Sequence, residues 1–141
     1  MSSCWNRLQL DFHRYHHWLS AADRSDTLHE EGRAVIKALA EEKLPKALTT
    51  DFETLTLLRG RGIRSPEISN AARNILSSSL VRVVYVDKFL FEESLANFKK
   101  YERLSFTDSV SLAVIRKHRV REIYSHDSVF DLKGLVRKER P

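Results

Sequence analysis

Leu104-Ser105-Phe106-Thr107-Asp108-Ser109 opens, and Ile123-Tyr124-Ser125-His126-Asp127-Ser128-Val129-Phe130 closes, the stretch whose reading decides the fold. Thr107 to His118 reads as a helix, and Glu122-Ile123-Tyr124-Ser125 as a strand rich in residues that suit a pleated surface. A helix that turns straight into an apolar strand is half of a strand–helix–strand unit, and such units build parallel sheets flanked by helices. Each end of this unit carries an acid: Asp108 where the helix opens, Asp127 just past the strand. In α/β sheets, ligand sites form beyond the carboxyl ends of the strands.

The same alternation extends outward. Upstream, Leu80-Val81-Arg82-Val83-Val84-Tyr85-Val86 is the clearest strand, and Asp87 caps a helix over 88–101. Ser65-Pro66-Glu67 starts a helix that runs to about Ser78, with Ser65 as cap and Pro66 in the first position. Residues 51–60 form a helix ending at Gly60 and Gly62, after a short strand Ala47-Leu48-Thr49. Another helix starts at Asp26 or Thr27 and runs to about Lys43, where Pro45 stops it. Residues 14–22 read as a helix and 8–12 as a short first strand, while the basic tail from Leu132 holds a last short strand. The expected architecture is one α/β domain over 1–141, a three-layer sandwich with a small parallel sheet flanked by helices, and residues 1–20 its atypical part.

Two further acids stand at strand-to-helix handovers: Asp11 after Leu8-Gln9-Leu10, and Glu53 in Phe52-Glu53-Thr54-Leu55-Thr56-Leu57-Leu58. Four carboxylates gathered at one sheet edge would repel one another. A hard divalent cation, Mg²⁺ or Mn²⁺, relieves that conflict because it prefers oxygen ligands. This is the donor chemistry of a metal-dependent nuclease.

Composition sets the outer limits. The 141 residues are 42% hydrophobic, enough for a single core, and contain no apolar run long enough for a transmembrane helix. Cys4 is the only cysteine, which excludes an internal disulfide and suits a reducing cytoplasm; no secretory leader is apparent. The net charge of +5 favours a polyanionic partner without requiring one.

Taken together, Asp26-Thr27-Leu28-His29-Glu30-Glu31, Glu53-Thr54-Leu55-Thr56-Leu57-Leu58, Ser105-Phe106-Thr107-Asp108 and Ser125-His126-Asp127-Ser128-Val129-Phe130 resemble, in this order, segments of PIN-domain proteins, most closely the VapC-type toxin ribonucleases. The resemblance implies cleavage of RNA phosphodiester bonds at an acidic Mg²⁺ or Mn²⁺ site formed by Asp11, Glu53, Asp108 and Asp127. It also implies a homodimer and a VapB-like antitoxin whose tail fills the acidic groove. Two departures stand out. The link from Thr49 to Glu53 is about one helical turn short, and the family's spacing, counted back from Asp26, falls nearer Arg14 than Asp11.

Other residues carry two readings each. Ser105, Thr107 and Ser125 would orient a ligand or phosphate, or simply cap turns. Arg59, Arg61, Arg116 and Arg119 would meet RNA phosphates, or form solvated faces. His13 and His17 have the i, i+4 spacing of a metal pair, but packing or exposed histidines are the plainer reading. Phe89, Leu90, Phe91 and Phe98 suit core or a dimer surface. Two alternatives to the nuclease remain: a degenerate PIN domain that binds without cutting, and a non-enzymatic basic RNA-binding module.

Overall fold

Asp108 through Ile115 are all buried, so the helix between the two marker acids has no solvent face over two turns. Its small residues allow this. Ser109 and Ser111 turn their hydroxyls back onto the carbonyls of Ser105 and Thr107, at 2.9 and 3.2 Å, and so cost little when buried. Asn97 donates its side-chain amide to the Ser109 carbonyl at 3.2 Å from the neighbouring helix.

The computed structural model describes residues 10–13, 18, 21, 23–41, 46–50 and 53–139, and only the backbone at Leu10, Asp11, Lys46, Leu48 and 53–56. Within these residues the order is β1 (Leu10–His13), α1 (His29–Ala40), β2 (Lys46–Thr49), α2 (Glu53–Gly60), α3 (Ser65–Ser77), β3 (Val81–Val83), α4 (Lys88–Lys100), α5 (Phe106–Lys117), β4 (Glu122–Tyr124) and β5 (Val136–Lys138). The strands form one sheet in the order β3-β2-β1-β4-β5, every pair parallel. The α/β sandwich read from the sequence is therefore the observed architecture.

Apolar clusters lie on two faces of this sheet. Phe12 and Ile123 pack with Leu90, Ala113, Val114, Ile115, Val120 and Phe130, beneath α4 and α5. Ala47 packs with Trp18, Val35 and Leu39, beneath α1 and beside α3. Burying side chains of this size contributes roughly 1.5–3 kcal/mol each. His13 faces a third environment: it is fully buried, with its ring stacked on Tyr124 at 4.5 Å and 5.6 Å from that of Trp18. It lies in a strand, so it is a core histidine rather than half of a helical metal pair; His17 lies outside the described residues, as do Cys4 and most of the helix expected over 14–22, of which Trp18 and Ala21 are described and helical.

Several boundaries shift for physical reasons. Ser65 is inside α3, and its N-cap is Arg64, with no side-chain cap bond. Asp26 does not cap α1, whose N-cap is Leu28; instead its Oδ1 accepts the Leu28 N–H at 2.8 Å, closing the turn before the helix. The apolar run 80–86 contributes only three strand residues, because β3 is an edge strand paired with a four-residue β2. Tyr85 and Val86 beyond it are exposed. Asp87 caps α4 as expected, accepting from Leu90 N–H at 2.8 Å. Of the aromatic run on α4, Leu90 is core, whereas Phe89, Phe91 and Phe98 are exposed. No helix among the described residues is long and apolar enough to cross a membrane.

Candidate active site at the carboxyl edge of the sheet

All strands end on one edge because all are parallel. A four-residue turn takes α5 into the start of β4, so the amino end of α5 points back toward the edge where strands end. Asp108 stands there, 7% exposed. It forms a reciprocal capping box with Ser105: the Ser105 Oγ accepts the Asp108 N–H, and Asp108 Oδ2 accepts the Ser105 N–H, both at 3.1 Å. Each carboxylate oxygen carries two lone pairs, so the box and a metal ligand are compatible roles.

Asp127 follows the end of β4. Its N–H is held by Ser125 Oγ at 3.0 Å, and its Oδ1 accepts the Val129 N–H at 3.1 Å, capping the single 3-10 turn Ser128–Phe130. Ser105 and Ser125 thus orient the two acids' own segments. Thr107 contributes its carbonyl to Ser111. Beside Asp127, His126 Nε2 lies 3.2 Å from Glu31 Oε1 on α1, and its Nδ1 lies 3.8 Å from Glu139 Oε2.

The other two acids are placed by their backbones alone. Glu53 is the first residue of α2, four positions past the end of β2. Asp11 is level with Glu122, and His13 with Tyr124, so Asp11 stands three strand positions before the level of Ser125, about 10 Å at ~3.3 Å per residue. Among the described residues no group of three His, Cys, Asp or Glu side chains is gathered as a metal site. Asp108 and Asp127 supply hard oxygen donors of the kind Mg²⁺ or Mn²⁺ prefers, and Glu53 or Asp11 could supply a third.

The arginines divide. Arg61 Nη1 contacts Asp26 Oδ2 at 2.6 Å and Asp23 Oδ2 at 3.0 Å. A hydrogen bond from Ser25, then that from Arg61, holds the Asp23 carboxyl below its ordinary range. Burial, the largest single effect, pushes Asp26 up, but the hydrogen bonds from Arg61 and the Leu28 N–H, with the charge of Arg61, together outweigh it, and the net shift is downward. Arg116 donates to Asn97 Oδ1 at 3.3 Å and to Tyr101 Oη at 2.9 Å, and it lies over the Tyr101 ring. Both arginines therefore have structural partners. Arg116 and Arg119 also lie eight and eleven residues along from Asp108, about 12–16 Å at 1.5 Å per residue. Arg59, which donates to Ser65 Oγ at 3.2 Å, lines a groove of about 590 Å³ with Ser69, Arg73 and Leu76.

Sequence reading passed over one residue that bears directly on this edge, Arg137. Its partners lie six and twelve residues back in the chain, at Asp131 and Ser125, and no local spacing marks it.

A five-stranded parallel sheet with Asp108 and Asp127 at its carboxyl edge is what its relatives lead one to expect: the chain belongs to the VapC-type PIN-domain ribonucleases. Its relatives include the 23S rRNA-specific endonuclease VapC20 of two Mycobacterium tuberculosis strains. Each is 30% identical over 124 residues, covering 84% of this chain and 90% of the relative. The crystal structure of Mycobacterium tuberculosis VapC20, described as a sarcin-ricin loop cleaving toxin, superposes with a TM-score of 0.76 at 31% identity, covering 93% of this chain and 99% of that one. No family model matches the chain.

Proposed function

We propose that this protein is a metal-dependent endoribonuclease that hydrolyses RNA phosphodiester bonds, the toxin of a toxin–antitoxin pair. The observation that carries this reading is the placement of Asp108 at the head of α5 and of Asp127 just past the tail of β4, both toward the strand-end edge. Its family membership supports it, since VapC20 is named an endonuclease of 23S rRNA. The substrate class that follows is a structured RNA loop of the sarcin–ricin kind.

Asp108, Asp127 and Glu53 would hold Mg²⁺ or Mn²⁺, with Asp11 as the fourth acid. When bound, the ion lowers the pKa of its water and offsets charge on the phosphate. Ser105 and Ser125 keep the two described carboxylate segments in place. Arg59, which donates to the exposed Ser65 hydroxyl, is the candidate to steer RNA toward the edge. The apolar row Phe91, Leu95 and Phe98, 44%, 41% and 48% exposed, is the surface proposed for a second copy in a homodimer. A VapB-like antitoxin is the proposed protein partner.

The test is cleavage of a sarcin–ricin loop RNA and a scrambled hairpin by the pure protein, with Mn²⁺, Mg²⁺ or EDTA. Metal-dependent cutting of the loop, lost in Asp127→Asn, is the expected result; cutting unaffected by EDTA or by that substitution would sink the reading. A second reading, a PIN domain that binds RNA without cutting it, is favoured by the Asp11 register. Calorimetry separates the two, since that domain takes up no Mn²⁺ yet still shifts the RNA in a gel.

A further inference from the structure

Arg137 leaves β5 and braces the turn that carries Asp127. Its Nε and Nη2 donate to Oδ1 and Oδ2 of Asp131, at 2.7 and 3.3 Å, a fork on one carboxylate. Its Nη1 donates to the Ser125 carbonyl at 3.2 Å and to Glu139 Oε1 at 2.8 Å. Ser125 and Asp131 are the two ends of the segment that holds Asp127. One guanidinium thus spans the base of that segment, and the short bonds inside it do the rest: Ser125 Oγ on the Asp127 N–H, Asp127 Oδ1 on the Val129 N–H, and the Asp127 carbonyl on the Phe130 N–H at 3.2 Å. Phe130, fully buried, anchors the same turn in the core.

We infer that Arg137 is a positioning residue that sets where the Asp127 carboxylate stands relative to Asp108. The role needs arginine. A planar fork serves a carboxylate and a carbonyl together, whereas a lysine ammonium is a single point of charge. The Arg137 side chain is 19% exposed, so water competes weakly for its donors. Its hydrogen bond holds the Asp131 carboxyl below the ordinary carboxylate range, keeping the fork charged. β5 does not depend on this brace for its place: it pairs with β4 from Glu122↔Val136 to Tyr124↔Lys138, and Lys138 Nζ reaches Glu122 Oε2 at 3.0 Å. Removing the guanidinium should therefore loosen the turn and leave the sheet.

The consequence for metal binding rests on the function proposed above, so the experiment reads position and function separately. Wild type, Arg137→Ala, Arg137→Lys and Asp131→Asn are compared by amide hydrogen exchange, Mn²⁺ calorimetry and RNA cleavage. In Arg137→Ala, exchange at Asp127 and Val129 should rise by about tenfold, while Leu112, Ala113 and Val114 in α5 stay as protected as before. Mn²⁺ affinity should fall about tenfold, with kcat reduced and KM for RNA within about twofold. Arg137→Lys should restore only part of this, and Asp131→Asn should shift the same amides less. Both of these variants keep the inference testable if Arg137→Ala does not fold. Unchanged exchange at Val129 in every folded variant overturns the inference, and so does raised exchange with wild-type Mn²⁺ affinity. If wild type itself takes up no Mn²⁺, the proposed nuclease fails, and exchange at Val129 alone decides the role of Arg137.

Discussion

Asp108 does two jobs that separate by substitution. As the N3 acid of a capping box it steadies the head of α5, and as a carboxylate at the strand-end edge it offers charge to a cation. Asparagine keeps an acceptor for the Ser105 N–H and loses the charge; alanine loses both. Asp108→Asn should therefore leave the unfolding midpoint nearly unchanged, while Asp108→Ala lowers stability by about 1 kcal/mol. Both should cut metal-dependent cleavage by at least about a hundredfold. Denaturant melts beside a cleavage assay check the pair, and an active Asp108→Asn would leave only the capping role. Arg119 tells a different story. It has a φ of 53°, the left-handed region that favours glycine. It sits at the end of α5, where Val120 N–H reaches back to the Ile115 carbonyl at 3.0 Å and Arg119 N–H to that of Arg116 at 3.2 Å, a Schellman closure. Arg119→Gly should raise stability by about 0.5–1 kcal/mol in urea melts, because glycine removes the Cβ penalty of this conformation. No gain would mean that Arg119 makes a compensating contact.

Between elements, one join open to acid is the one Arg61 makes. It ties the turn after α2 to the turn before α1 through Asp23 and Asp26. Both carboxyls are held below their ordinary value of 3.8 in the fold. Their contribution is thus fully present above that value and is lost as pH falls through the lower folded pKa. Thermal midpoints measured from about pH 6 down to about pH 2.5 should drop, and the drop should be shallower in Asp26→Asn. An identical acid limb in that variant would place the titrating groups elsewhere. This join was not legible in the sequence, because Arg61 lies 35 and 38 residues from its partners. Elements built on local contacts were legible: the Asp87 cap of α4, the α5–β4 unit, and Asp108 and Asp127 at its two ends. Strand length and register were not. β3 is short because of its neighbour, and the level of Asp11 is set by pairing with β4, more than a hundred residues away.

For the molecule as a whole, the proposed metal site makes stability depend on the medium. A ligand that binds only the folded state, present at a hundred times its Kd, adds about 2.7 kcal/mol. Saturating Mn²⁺ should raise the thermal midpoint by several degrees, EDTA should reverse the rise, and Asp127→Asn should abolish it. A midpoint indifferent to Mn²⁺ in wild type would favour the reading in which the fold binds RNA but does not cut it. The sheet order also has a consequence for how the chain is made. Its central strand, β1, precedes the other described strands in the chain, yet one of its two neighbours, β4, follows it by more than a hundred residues. At about 5–20 residues per second, Phe12 waits roughly 5–20 s on the ribosome before Ile123 exists to sit beside it. Until then β1 can pair only with β2, and the half-built sheet ends on an open central strand. A newborn chain thus offers that open strand to chaperones, proteases and its own neighbours until β4 arrives.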